Sequence, residues 1–173
     1  ALPVAPEALA PIIREHASMP EALRIVYANG LPVSIPEELP EGLSVMDMED
    51  FVLQCPDTAR KYLETETETL GSEKLSALTM ALQHNGLVIM ADREISLPLE
   101  ILHFISGDNV AVFPSTLLIA ETGSRLHILE RHLSADHGRQ FCGALQQYHL
   151  SSASSVKYAL VQELNSRSRA VEL

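Results

Sequence analysis

Three histidines, His127, His132 and His137, recur every five residues. Imidazole side chains at regular spacing raise the question of a metal. A five-residue step alternates faces on a strand and spreads side chains around the axis of a helix, so neither element aims the three histidines at one ion. A structural zinc site asks for four ligands, usually in tight Cys or His pairs, and neither Cys142 nor Cys55 stands in a Cys-x-x-Cys pair. The expectation is therefore no metal ligand among them: polar strand edges, with His137 in a turn beside Asp136 and Gly138. Cys142 falls in a predicted strand, where a free cysteine is a small buried apolar residue. A thiolate that handled sulfur or iron would need exposure and a positive neighbour, for which Arg139 is the nearest candidate. Cys55 precedes Pro56 at a helix end. Glu130 and Asp136 lie near the histidines and could form an acid–base pair, but spacing alone gives them no geometry. Glu64, Glu66 and Glu68 alternate with threonine and read as a solvated run. Ser151, Ser152, Ser154 and Ser155 form a turn cluster with no Gly-x-Ser-x-Gly elbow. The chain has neither a P-loop nor Gly-x-Gly-x-x-Gly, so it is not expected to bind ATP. The expected set of catalytic, cofactor-binding and metal residues is none.

The elements that would position these side chains must be built from aliphatic residues. Of 173 residues, 46% are hydrophobic, 5% are aromatic and none is tryptophan. That composition supports a packed core and argues against disorder. The formal net charge of −11 disfavours nucleic acid, whose phosphates need a basic patch, and disfavours anionic membrane surfaces. No apolar run reaches the ~18 residues of a membrane helix. Two distant cysteines make no disulfide framework, so both read as reduced thiols of a reducing compartment. The opening Ala1-Leu2-Pro3-Val4-Ala5-Pro6 lacks the charged and apolar regions of a signal peptide. Without an initiator methionine, the chain reads as a processed, engineered or partial product.

Residues 1–85 read as a broken helical region with a β-hairpin. Pro6 suits a first helical turn, with Glu7 complementing the dipole, and Leu9, Ile12, Ile13 and His16 follow at helical spacing until Pro20. Arg24 to Ile35 reads as a hairpin about Asn29-Gly30, both of which tolerate positive φ. Pro36, Pro40 and Gly42 mark a loop. Asp47 is a candidate N-cap for a helix over Met48 to Gln54, and Pro56-Asp57 opens a second to Leu63. Ser72 caps the clearest helix, with Leu75, Leu78 and Leu82 on one face, and Asn85-Gly86 ends it.

From residue 86 to 173 the period becomes strand-like. Strands are expected at Leu87 to Ala91, Ile95 to Ile105, Val110 to Glu121, Leu126 to Arg131, Phe141 to Leu150 and Val156 to Leu164. The stretch Leu117 to Glu130 can be laid over Gln147 to Leu160, each reading strand, small-residue turn, strand. Leu87 to Leu97 fits as an earlier copy with a one-residue slip. A repeat of about 30 residues with no room for a crossover helix implies coils that stack on their neighbours. The expected fold is mainly β: the first coils of a right-handed parallel β-helix, preceded by short helices and a hairpin. Val156, Tyr158 and Leu160 should share a face, matched by Leu126 and Ile128. Glu130 breaks that pattern, so a bend or strand end is expected there.

Two segments carry a resemblance. Ser72 to Asp92 is similar to the helix-then-strand opening of the SufB/SufD family of iron–sulfur assembly proteins. Phe113 to Glu121 followed by Leu126 to Glu130 resembles that family's order of proline, aliphatic strand, small-residue turn and Leu-rich strand ending in Glu. The resemblance covers about Ser72 to Leu173, and the region before it looks more like SufD than SufB. It implies a right-handed parallel β-helix and a non-catalytic scaffold subunit, not an enzyme, in a cytoplasmic complex with SufB-like and SufC-like ATPase subunits. It also implies that this is an N-terminal portion. The family's ATPase-binding and cluster-handling positions have no counterpart here, so none is carried over. An iron–sulfur cluster is expected only for the assembled complex. A stack ending after about three coils is expected to self-associate through its C-terminal end. The rivals are a fragment of a β-helix carbohydrate-active enzyme, which needs acids aligned on one groove, and an acidic protein-binding module.

Overall fold

A computed structural model of the chain describes residues 6–63, 73–83 and 85–173. The Glu64, Glu66 and Glu68 run and the Ser72 cap lie outside the described residues. In chain order the elements are α1 (Pro6–His16), β1 (Leu23–Ala28), β2 (Leu31–Ser34), β3 (Leu43–Asp47), α2 (Met48–Gln54), α3 (Pro56–Leu63), α4 (Glu73–Leu82), β4 (Gly86–Ala91), β5 (Leu99–Ile105), β6 (Val110–Val112), β7 (Ser115–Ala120), β8 (Arg125–Ser134), β9 (Gln140–Leu150), β10 (Ser155–Glu163) and β11 (Arg169–Glu172).

Local chemistry sets most of these boundaries. Asn29 (φ 51°) and Gly30 (φ 79°) both turn through positive φ, and β1 and β2 pair antiparallel around them. Met48–Gln54 is helical as expected, but the Asp47 carboxylate does not cap it. That carboxylate accepts a bond from Tyr27 Oη at 3.0 Å, and Glu49 and Asp50 supply the negative charge in the first turn. Pro56 opens α3, with Asp57 in its first turn and Arg60 and Lys61 in its last. The expected strand Val110 to Glu121 divides into β6 and β7 around Phe113-Pro114, because proline has no N–H for a ladder. Likewise β5 starts only at Leu99, after Pro98. The alternation argument does not foresee β3 or β11.

The strands form two mixed sheets, in the orders β10-β8-β5-β1-β2 and β11-β9-β7-β4-β3, with β6 also paired to β9. Among the described residues only β2 on β1 and β3 on β4 run antiparallel. Every other pairing is parallel, and from β4 onwards partners recur at nearly constant separation. Leu117 lies opposite Gln147 and Leu126 opposite Val156, the thirty-residue alignment read from the sequence. Val88 lies opposite Leu117, and Leu99 opposite Ile128, which is the one-residue slip.

The turns stack as well. Ser124 Oγ donates to Glu121 O and Ser154 Oγ to Ser151 O, each at 2.7 Å, one coil apart. On the opposite side the Asp136 carboxylate accepts from Ser106 Oγ, Gly107 N, Gly138 N and Gln140 Nε2, while Asn165 Nδ2 donates to Asp136 O. Three successive turns are thereby joined.

The central core lies between the sheets and includes Ile25, Tyr27, Leu87, Ile89, Leu99, Ile101, Leu118, Leu126 and Ile128. Strands from both sides of residue 85 share it. A second cluster, Val26, Leu102, Phe104 and Leu133, packs beneath Ile12 and Ile13 of α1. A third joins Phe51, Ala59 and Tyr62 of α2 and α3 to Val88, Leu117 and Ile119. Covering both faces explains why β5 and β7 are buried throughout, whereas β10 alternates. No helix among the described residues is long and apolar enough to cross a membrane.

Strand β8 does not end at Glu130 but continues to Ser134. Leu126, Ile128, Glu130 and His132 stay on the inward face, because the interior supplies Glu130 with polar partners.

Candidate metal centre

The parallel register sets His103 of β5 directly beside His132 of β8, and Ile101 beside Glu130. Inward-facing side chains at positions 130 and 132 of β8 therefore meet the ring of His103. All three residues are buried: His103 is 4% exposed, and Glu130 and His132 are 0% exposed. Glu130 Oε1 lies 2.8 Å from His132 Nε2 and 3.5 Å from His103 Nε2. Its other oxygen, Oε2, accepts bonds from Tyr158 Oη and, at 3.3 Å, from Thr116 Oγ1. The far nitrogen of His132, Nδ1, faces Glu172 Oε1 at 3.2 Å and Cys142 Sγ at 3.6 Å. Tyr27 stacks on His103 with ring centroids 5.2 Å apart, and His132 meets it edge-on at 5.1 Å.

Burial alone would push the Glu130 carboxyl up. The hydrogen bond from His132, the attraction of both imidazoles and the bond from Tyr158 outweigh it and hold Glu130 well below the usual carboxylate range. Burial would push His132 down, but the Cys142 thiol and the carboxylates of Glu130 and Glu172 push it up. Burial dominates at His103, which is lowered to about 4 despite Glu130. Chemically this is a buried pocket holding one ionised carboxylate between two imidazoles. One donor atom each from His103, Glu130 and His132 lies within 4.8 Å of the other two.

Part of the chain is similar to known proteins. Over 97 residues, 55% of its length, the chain is 30% identical to an iron–sulfur cluster assembly SufBD family protein of Mycobacterium bovis. The same figures hold for SufBD family proteins of two Mycobacterium tuberculosis strains. The chain spans 11% of the length of these relatives. No family model matches it. The similarity is thus to a part of these SufBD proteins.

Within the stack the five-residue histidine series is dispersed. His127 is exposed on the outer face of β8, His137 is exposed in a turn, and only His132 enters the interior. Glu130 is the acid that pairs with a histidine; Asp136 is taken up by the turns. Cys142 is fully buried and Cys55 partly so. Ser154 bonds its own turn, as a turn cluster should. The residue that spacing reasoning missed is His103. The signal was present: His103 and His132 are 29 residues apart, the coil spacing, so the repeat itself places them side by side. A shallow groove of about 590 Å³ lined by His127, Leu129 and Lys157 carries no carboxylate and no acid pair.

Proposed function

We propose that the chain is the opening part of a SufD-like, non-catalytic scaffold subunit of a cytoplasmic iron–sulfur cluster assembly complex. Its body is the first coils of a right-handed parallel β-helix, with residues 1–85 as the leading helical and hairpin region and residues 86–173 as the stack. SufB-like and SufC-like ATPase subunits are its partners, and the cluster is the complex's cargo rather than a resident cofactor of this segment. The observation that carries this reading is the parallel register near 30 residues, found in a chain with 30% identity to SufBD proteins over 97 residues. A scaffold needs a rigid frame and an adhesive edge. Here β10 and β11 are the outer strands of their sheets, and Tyr148, Leu150 and Val161 near them are exposed. That edge is where self-association or partner docking is expected.

The carbohydrate-enzyme alternative gains nothing from the geometry. Among the described strand pairs no carboxylate faces another across a coil: Glu130 faces Ile101 and Leu160, and Glu163 faces Leu133. The test is co-purification of the full-length protein with SufB-like and SufC-like partners. A stable complex is expected, and failure to recover one overturns the scaffold role. Light scattering of the isolated chain tests the adhesive edge; a clean monomer at tens of micromolar overturns self-association.

A further inference from the structure

We propose that His103, Glu130 and His132 form a binding site for one divalent transition-metal ion, with coordination through His103 Nε2, Glu130 Oε1 and His132 Nε2. The inference rests on this chain's geometry and holds whether or not the assembly role does.

The first argument is an unmet need. Both ring nitrogens of His103 lack a hydrogen-bond partner although the residue is 4% exposed. Buried polar atoms are nearly always paired, and an idle imidazole in an aliphatic interior demands a reason. Tyr27 stacks on its ring and His132 meets it edge-on, but neither satisfies its nitrogens.

The second argument is spacing. Donors about 2.0–2.1 Å from a tetrahedral ion stand about 3.3 Å from one another. His103 Nε2 is 3.5 Å from Glu130 Oε1, close to that value. His132 Nε2 is 2.8 Å from the same oxygen, in a hydrogen bond that an ion would replace by opening it roughly half an ångström.

The third argument is the outer ring of contacts. A ligating histidine typically gives its other N–H to a carboxylate, and a ligating carboxylate is itself hydrogen-bonded. His132 Nδ1 faces Glu172 Oε1 at 3.2 Å, which leaves Nε2 for an ion. Tyr158 and Thr116 hold Glu130 Oε2, so that Oε1, which accepts from His132 Nε2 and at 3.5 Å from Gln146 Nε2, is the oxygen turned to both imidazoles. Two of the three proposed ligands, Glu130 and His132, are thus oriented from behind, while His103 is held by its ring contacts. Two imidazoles and one carboxylate suit borderline ions such as Zn²⁺, Co²⁺ or Fe²⁺ better than Ca²⁺ or Mg²⁺. Three protein ligands leave a position open, as in sites that exchange or present their ion.

The experiment is a Co²⁺ titration of the chelator-treated chain, followed by visible d–d absorption and then competed with Zn²⁺. The expected result is one tetrahedral-type Co²⁺ per chain, displaced by Zn²⁺. His103→Leu should weaken binding more than ~100-fold while the chain stays folded by circular dichroism, since an apolar side chain replaces an unpartnered ring. Glu172→Gln, at a partly exposed position, should weaken binding about 10–100-fold. His137→Ala, in an exposed turn, should leave binding unchanged. Absence of wild-type binding at millimolar Co²⁺ overturns the site, as does undiminished binding in a folded His103→Leu variant. If His103→Leu fails to fold, undiminished binding in Glu172→Gln overturns it instead.

Discussion

Replacing Glu100 with glutamine should loosen α1 from the sheet it covers. The Glu100 side chain is fully buried on the outer face of β5. Its Oε1 accepts from Ser18 N at 2.9 Å and Ser18 Oγ at 2.6 Å, and its Oε2 accepts from Arg24 Nε at 2.8 Å. Ser18 follows α1, so this carboxylate ties the helix to the stack. Hydrogen bonds to a charged group contribute about 1.5–3 kcal/mol each, against about 0.5–1.5 for neutral ones. Neutralising the acceptor of three such bonds should therefore cost about 3 kcal/mol, and the glutamine amide would also oppose the Arg24 donor. In a chain of this length that corresponds to a fall in Tm of roughly 6–12 °C. The assay is urea denaturation of Glu100→Gln and the parent across pH. Burial alone would raise the Glu100 carboxyl, but the bonds from Ser18 and Arg24 outweigh it and hold it below its ordinary value. A depressed carboxyl stabilises the fold fully above its unfolded value, about 4.3, and loses that contribution as pH falls through the folded value. The difference between parent and variant should thus be full at pH 7 and shrink as pH drops below about 4.3. A difference under ~1 kcal/mol at pH 7, or one equally large at pH 3, would refute the reasoning.

The stacked turns give a paired test. Gly123 has φ 77° with open space around a would-be Cβ, and Ala153, its counterpart one coil on, has φ 59°. Gly123→Ala should cost about 1 kcal/mol in thermal unfolding, and Ala153→Gly should be neutral or stabilising by up to about 1 kcal/mol. At Gly138 an added Cβ would stand 2.1 Å from the Gly107 carbonyl oxygen, so Gly138→Ala must displace backbone in two turns. It should cost over about 2 kcal/mol, read as a lower denaturation midpoint. With an aromatic disulfide reagent, Cys55 should react in the native chain and Cys142, fully buried, only after unfolding. Fast native reaction of both thiols would contradict the burial described.

Much of the stack was legible because its code is periodic. Alternation over Leu126 to Ile128 and Val156 to Leu160 located two strands, and the thirty-residue overlay predicted their register. Asn29-Gly30 and Pro56 marked their turns and starts through φ preferences that act locally. The failures share a cause. β3 follows a proline-rich loop and is stabilised by pairing with β4, a partner distant in sequence. Glu130 breaks alternation as a sequence, yet the strand continues because Tyr158, Thr116 and His132 surround it, and those contacts come from three strands. His103 went unremarked because histidines were compared with their neighbours along the chain. Compared across the repeat, His103 and His132 coincide.

The two reversed strands lie on the same side of the pile. β2 closes one sheet next to β1, and β3 closes the other next to β4, while β10 and β11 face the opposite direction. A reversed strand does not offer a neighbour the parallel register that the other strands keep, whereas β10 and β11 do. A further strand that kept the parallel register would therefore fit beside β10 or β11, and the two ends of the pile differ in the pairing they favour.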